Sequence, residues 1–387
     1  MDSKLLTRFL PIAVFAPLSY FGKQAIFSNL ELTPAPQLLE ASCPALPLPL
    51  AVAEASLFPN RLRYTGVRGI DDFTCIIVTF FQQLSTRAAR PLLAGTLMPL
   101  LVASVFFMWA EAARRGAPRA VRLPTVFCVV YQVVTFALTM PVYWLLFTVS
   151  GAAGLHRRIP GAAPASGGGD DAHRPDGIIT RRRAEAAAFG TLVGCALPTL
   201  AMFTLSSPYW TALWQPFPLL VEFARALYLL VRPSTSPTAN APPKASSLAS
   251  ANGHTTVRRA YQLLFFACAA LYAFYIYPLL ARLDVSVLRA TFLPVVQRAS
   301  AGSASLEDAA VDLIKRDFCF GGGATLLASL WWADGPAEVA ASVAWLVGGS
   351  VLLGPGAAFV GMAMWREGKI ERAVRAVKAG IEEKKID

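Results

Sequence analysis

Charge is scarce in this chain. Only 15% of its 387 residues are Asp, Glu, Lys or Arg, against about 25% in an ordinary soluble protein. That shortage argues against a string of soluble domains, as does the 55% hydrophobic content. Histidine is rarer still: His156, His173 and His254 are the whole supply. All three fall in segments that read as loops, which argues against a histidine-based metal site or catalytic triad. Six cysteines, Cys43, Cys75, Cys128, Cys195, Cys268 and Cys319, are scattered with no pair at metal-ligand or redox spacing. Most sit inside apolar runs, so reduced thiols acting as small hydrophobes are expected. The triple glycine at 321–323 lacks the lysine-serine ending of a phosphate loop. It reads as a place for close helix approach or a bend. No internal repeat is evident. The net charge of +11 lies in short basic clusters between apolar spans. That placement suits anionic headgroups and topology signals better than nucleic acid.

Long apolar runs fill the rest. Tyr261 to Ala281 carries no charge, is flanked by Arg258, Arg259 and Arg282, and is apolar on every side. A hydrocarbon core of about 30 Å needs about 20 such residues, so this stretch reads as a transmembrane helix around which the chain is organised. Leu5 to Phe21 reads as a retained first span rather than a signal peptide, because no small-residue cleavage site follows. Residues 31–60 read as an interfacial loop, and Asp72 to Leu84 as a half-helix. Further spans are expected at 91–110, 124–149 with a kink at Pro141, 184–205, 219–231, 311–332 and 339–365, the last broken at Gly354-Pro355-Gly356. The expected fold class is therefore all-α: a polytopic transmembrane bundle of about seven or eight spans over residues 1–366. Two polar loops, 151–183 and 232–257, are expected to be disordered, and 367–387 to be an amphipathic charged tail. Lys and Arg divide almost evenly between the two faces, so they do not orient these spans.

Acids at membrane depth are costly and draw functional suspicion. Asp71 and Asp72 either cap the half-helix or place an acid at a cavity mouth. Glu222 and Arg225, three apart, share a helix face and can pair. They either neutralise one another or anchor a polar substrate head. Asp317 follows Lys315 and Arg316, as part of an interfacial ion cluster or as a proton donor. Tyr272, Tyr275 and Trp331 read as anchors and packing, or as ring faces that steady a passing cation.

Three stretches carry a resemblance: GIDDFTCIIVTFFQQL at 69–84, LIKRDFCFGGGATLLASLWW at 313–332 and LLGPGAAFVGMAMWREGKI at 352–370. Together they resemble a family of fungal polytopic membrane proteins of secondary-metabolite pathways, the membrane-bound terpene cyclase family of ascofuranone biosynthesis. The likeness covers both ends and the order of spans, and the two polar loops have no counterpart in it. The resemblance implies a cyclase that protonates a lipophilic isoprenoid chain, at an epoxide or at an alkene. It implies Asp72 and Asp317 as the acids at matching motif positions, with Glu222 third. Asp71, Arg225, Tyr272, Tyr275 and Trp331 are then the expected substrate contacts. No metal and no cofactor are expected. The expected partners are the lipid bilayer, the isoprenoid substrate and pathway enzymes, in the endoplasmic reticulum or another endomembrane. The rival readings are a transporter of a hydrophobic metabolite and an accessory or scaffolding membrane protein.

Overall fold

A computed structural model describes residues 9–31, 33–46, 50, 52–86, 89–158, 177–232, 253–282, 284–295 and 305–383. Among them every regular element is helical and none is a strand. Three helices are long and apolar enough to cross a membrane. They are α5 (Arg90–Ala112, 23 residues), α8 (Arg181–Leu205, 25 residues) and α11 (His254–Leu280, 27 residues). Before α5 lie α1 (Leu10–Glu31), α2 (Ala35–Ser42), α3 (Val52–Leu57) and α4 (Arg68–Gln83). Between α5 and α8 come α6 (Pro124–Val134) and α7 (Phe136–Val149); between α8 and α11 come α9 (Pro208–Trp214) and α10 (Phe217–Val231). The remainder is α12 (Val285–Phe292), α13 (Leu306–Asp317), a π-helical turn at Phe318–Gly322, α14 (Gly323–Ala328), α15 (Pro336–Leu352) and α16 (Pro355–Glu383). Among the described residues, three of the expected seven or eight spans qualify by length and composition.

The helix at the centre is α5, buried along its whole apolar window. The helix expected to organise the chain, α11, lies at the periphery, with Leu263, Phe266 and Phe274 facing outward. Both are apolar all round. Apolarity alone cannot separate a helix enclosed by protein from one facing an apolar solvent.

Side-chain contacts define two ends. At one, Arg90 donates to the Ser85 carbonyl (2.9 Å), Gln82 reaches Thr211 (2.8 Å), and α2 is joined to α4 by a Cys43–Cys75 disulfide. This bond corrects the expectation of six reduced thiols. The two cysteines are 32 residues apart, and that separation carries no motif. At the other end lie Glu111, Arg114, His254 and Arg366.

Several expected boundaries move. The 31–60 stretch contains α2 and α3. The 124–149 span breaks at Thr135, whose φ is 104°, while Pro141 sits inside α7. Tyr131 and Phe136 rings lie 5.7 Å apart and Phe127 and Tyr143 5.2 Å apart, so α6 and α7 fold against each other as a hairpin. The last expected span is two helices. Gly354 adopts a φ of +89°, which suits a residue with no Cβ, and Trp345 donates back to the Ala358 carbonyl (2.9 Å). The tail boundary at 366 falls inside α16, where Arg366, Glu367, Lys369, Ile370 and Val374 are buried. Of the expected polar loops, 159–176 and 233–252 lie outside the described residues, as do His173 and residues 1–8.

The disulfide closes a loop of 32 residues, for which chain entropy predicts about 3–4 kcal/mol. Cys43→Ser or Cys75→Ser should therefore lower the thermal midpoint of detergent-purified protein. Reduction of the parent should give the same drop, and should leave either variant unmoved.

Candidate functional site

Asp317 ends α13 in the apolar interior, 8% exposed. Its Oδ1 accepts the Ala137 N–H at 2.5 Å. Ala137 belongs to the first turn of α7, whose N–H groups have no partner inside the helix. The carboxylate therefore caps a helix from a different part of the chain. The broken hairpin makes this possible, because Thr135 turns the backbone into the left-handed region, unusual for a β-branched residue. Close approach comes from Gly321, where a Cβ would stand 2.7 Å from the Phe136 carbonyl oxygen. Gly323 meets nothing within 4 Å. The glycine triplet thus works as the spacing suggested, through its first member.

Tyr131 completes the setting. It is buried, and its ring lies against Phe217 (5.7 Å) and against Phe136 (5.7 Å), the neighbour of the Ala137 that Asp317 caps. Its hydroxyl has no hydrogen-bond partner among the described residues. Phe217 begins α10, and one turn on, Leu220 lines an open apolar groove of about 610 Å³ between α8, α9 and α10. Val193, Leu197, Trp210 and Phe223 are among its other walls.

The other expected acids have different settings. Asp72, with 40% of its side chain exposed, pairs with the buried Arg61 and faces Arg68 at 4.0 Å. Asp71 is buried and accepts from Thr65 N–H (2.7 Å), Thr65 Oγ1 (2.8 Å) and Gly66 N–H (3.0 Å). Burial works against its charge. The Thr65 and Gly66 hydrogen bonds outweigh burial and hold its carboxyl below the ordinary range. Glu222 does pair with Arg225, whose Nε donates at 2.9 Å, and it also accepts from Trp109 Nε1 at 3.2 Å. This pair is partly exposed, at 37% and 30%. Tyr272 donates to the Val351 carbonyl (3.0 Å) and covers Gly354. Tyr275 packs on Gly95, and the Trp331 ring meets Phe15 at 5.2 Å. These residues are distributed over separate contacts; of the expected acids, Asp71 and Asp317 are buried without an arginine or lysine ion pair among the described residues, Asp71 held by the Thr65–Gly66 turn and Asp317 by the Ala137 N–H in the helical interior.

A second polar cluster was not foreseen. Arg366 grips Glu111 with two bonds, 2.7 and 2.9 Å. Arg114 binds Glu111 (2.6 Å) and Glu367, and His254 binds the other Glu367 oxygen. The Arg366 guanidinium lies over Phe107, Phe147 and Trp332 at 5.4–5.5 Å. His254, expected in a loop, is the first residue of α11 and fully buried. Every carboxylate here is matched by a cation with good geometry, so the cluster reads as a lock between α5, α11 and α16. Among the described residues no group of three or more His, Cys, Asp or Glu could hold a metal.

A family model described as the CtvD domain matches residues 14–370. No curated protein and no solved structure matches the chain.

Removing one partner of a buried ion pair strands the other, at a cost of about 3–5 kcal/mol. Glu111→Gln and Arg366→Ala should therefore unfold at clearly lower temperature, whereas Glu222→Gln, in a pair that is partly exposed on both sides, should shift the midpoint little, about 1 kcal/mol or less. The pH dependence of Asp71 has a definite sign. Because its folded carboxyl titrates below the ordinary value of about 3.9, its contribution is complete above that pH and disappears as pH falls through the depressed value. The protection factors of amides across residues 60–72, taken relative to intrinsic exchange at each pH, should fall on acidification in the parent, and Asp71→Asn should flatten that dependence.

Proposed function

Since the chain belongs to the CtvD-domain family, a family of secondary-metabolite pathway proteins, we propose that it is a membrane-embedded isomerase that cyclises a lipophilic isoprenoid chain. Asp317 supplies the proton. One observation carries the reading: a buried carboxyl group accepts from the N–H of Ala137, next to the Phe136 ring that meets the unpartnered Tyr131 phenol, and makes no ion pair with an arginine or lysine among the described residues. Asp72 and Glu222 are each occupied by an arginine, which leaves them poorer acids for the task.

The chemistry follows from the setting. The Asp317 O–H protonates an epoxide oxygen, and the carbon–oxygen bond breaks. The electron pair of a neighbouring alkene closes the ring, and the cation then loses a proton from carbon to the Asp317 carboxylate, which restores the acid and leaves no net change in composition. General acid assistance of this kind is worth about 10²–10⁴-fold. The faces of Tyr131, Phe136 and Phe217 would steady the transient positive charge. The apolar groove beside Leu220 offers a route from the bilayer, one helical turn from Phe217 and so from Tyr131.

The bundle itself suits such a substrate. We read α1, α5, α8, α9 with α10, α11, α13 with α14, α15 and α16 as crossings, with α6 and α7 as a hairpin that enters and leaves on one side. Short apolar helices such as α6, α7 and α15 are tolerated at depth where protein covers their ends.

Single amide replacements test the assignment. In a host supplied with the epoxy-isoprenoid substrate, Asp317→Asn should lower cyclised product at least about 100-fold, while Asp72→Asn and Glu222→Gln stay within a few-fold. The asparagine oxygen can still accept from Ala137, so its thermal midpoint should remain near the parent's. Full activity in Asp317→Asn overturns the reading.

A further inference from the structure

The two ends of the bundle differ in charge and in redox chemistry, and the two differences agree. At the end carrying Glu111, His254 and Arg366, the exposed side chains are dominated by arginine: Arg119, Arg122, Arg183, Arg258, Arg259 and Arg372. The acids nearby, Asp334 and Glu338, are engaged by Arg157 and Lys369. At the opposite end, Arg63, Arg68, Arg282 and Arg289 are interleaved with Glu40, Asp72, Asp284 and Asp308. That end also holds the Cys43–Cys75 disulfide. Disulfides persist in oxidising compartments such as the lumen of the endoplasmic reticulum, whereas excess arginine faces the cytosol and its anionic leaflet.

Linear order conceals this. The cluster 114–122 and the loop after 150 are separated by α6 and α7, a stretch long enough to read as one crossing. The break at Thr135 returns the chain to the end it left. Val121 lies with Glu111 and Ala152 around a water-sized void of about 10 Å³. Folding the hairpin places both basic segments on one face.

We infer that the arginine-rich end docks on anionic phospholipid headgroups of the cytosolic leaflet, and that the disulfide end lies in an oxidising lumen. Several arginines acting together near an anionic surface make this a saturable lipid contact. The orientation holds whatever reaction the protein performs.

Engineered glycosylation of the full chain in sealed microsomes tests the sidedness. Arg63→Asn creates an acceptor sequon with Thr65 at the disulfide end, and Pro164→Asn creates one with Ser166 in the stretch of sequence between α7 and α8. A one-glycan shift for Arg63→Asn and none for Pro164→Asn supports the inference. A shift for Pro164→Asn, alone or alongside the other, overturns it. If neither shifts, protease protection of a C-terminal tag decides: cleavage in sealed vesicles supports it and protection overturns it. For the lipid contact, full-length protein in detergent should be captured by vesicles containing 30% (about one third) phosphatidylserine several-fold better than by pure phosphatidylcholine. Arg258→Glu with Arg259→Glu should reduce that difference. Equal capture by both vesicle types, or an unchanged preference in the double variant, refutes the docking.

Discussion

The bundle depends on one lattice of buried charge. Glu111 and Glu367 share Arg114, Arg366 takes Glu111 from the other side, and His254 closes on Glu367. Through these contacts the end of α5, the start of α11 and the middle of α16 become one unit, although the partners are as many as 255 residues apart in the chain. In an interior with so few polar groups, a mispaired charge costs several kcal/mol. Such a lattice acts as a register mark: slide α16 by one turn and Glu111 loses Arg366 while Glu367 loses both Arg114 and His254. The apolar surfaces of these helices would accept many relative positions, but the ion pairs accept one.

Asp317 solves a different problem with the same kind of group. Breaking a helix inside an apolar medium frees N–H groups that lipid cannot satisfy. The α6–α7 hairpin breaks at Thr135, and Asp317 meets the exposed N–H of Ala137. One carboxyl thus makes the break tolerable and is itself held in the core by it. Gly321 lets the two backbones approach closely enough for that bond. A structural need and a chemical opportunity coincide at one residue, because a carboxyl placed to cap a buried helix is also placed beside whatever enters the hairpin seam.

Much of the helical content was legible in residue pattern, since length and apolarity suffice to mark α5, α8 and α11. The Glu222–Arg225 pair followed from a spacing of three, and the backbone reversal at Gly354 from its Gly-Pro-Gly surroundings. What stayed hidden was relational. The run VVYQVVTFAL around Thr135 is apolar without interruption, so nothing local marked the break, and Pro141 drew attention to a position the helix accommodates. Cys43 and Cys75 meet only because α2 folds onto α4. Glu367 and Lys369 looked like the start of a polar tail, and only the packing around α16 shows that they are interior. Likewise α5 and α11 look alike as strings, and which one is enclosed depends on neighbours contributed from elsewhere in the chain.

The central claim is that a lipophilic chain reaches Asp317 within the α6–α7 seam. A photoreactive epoxy-isoprenoid, cross-linked to full-length protein in bilayers and mapped by mass spectrometry, tests it most directly. The account predicts adducts on peptides from 124–149, 306–332 and the start of α10, suppressed by unlabelled chain. Adducts confined to the disulfide end or to the outer face of α11, with none in those three segments, would contradict it.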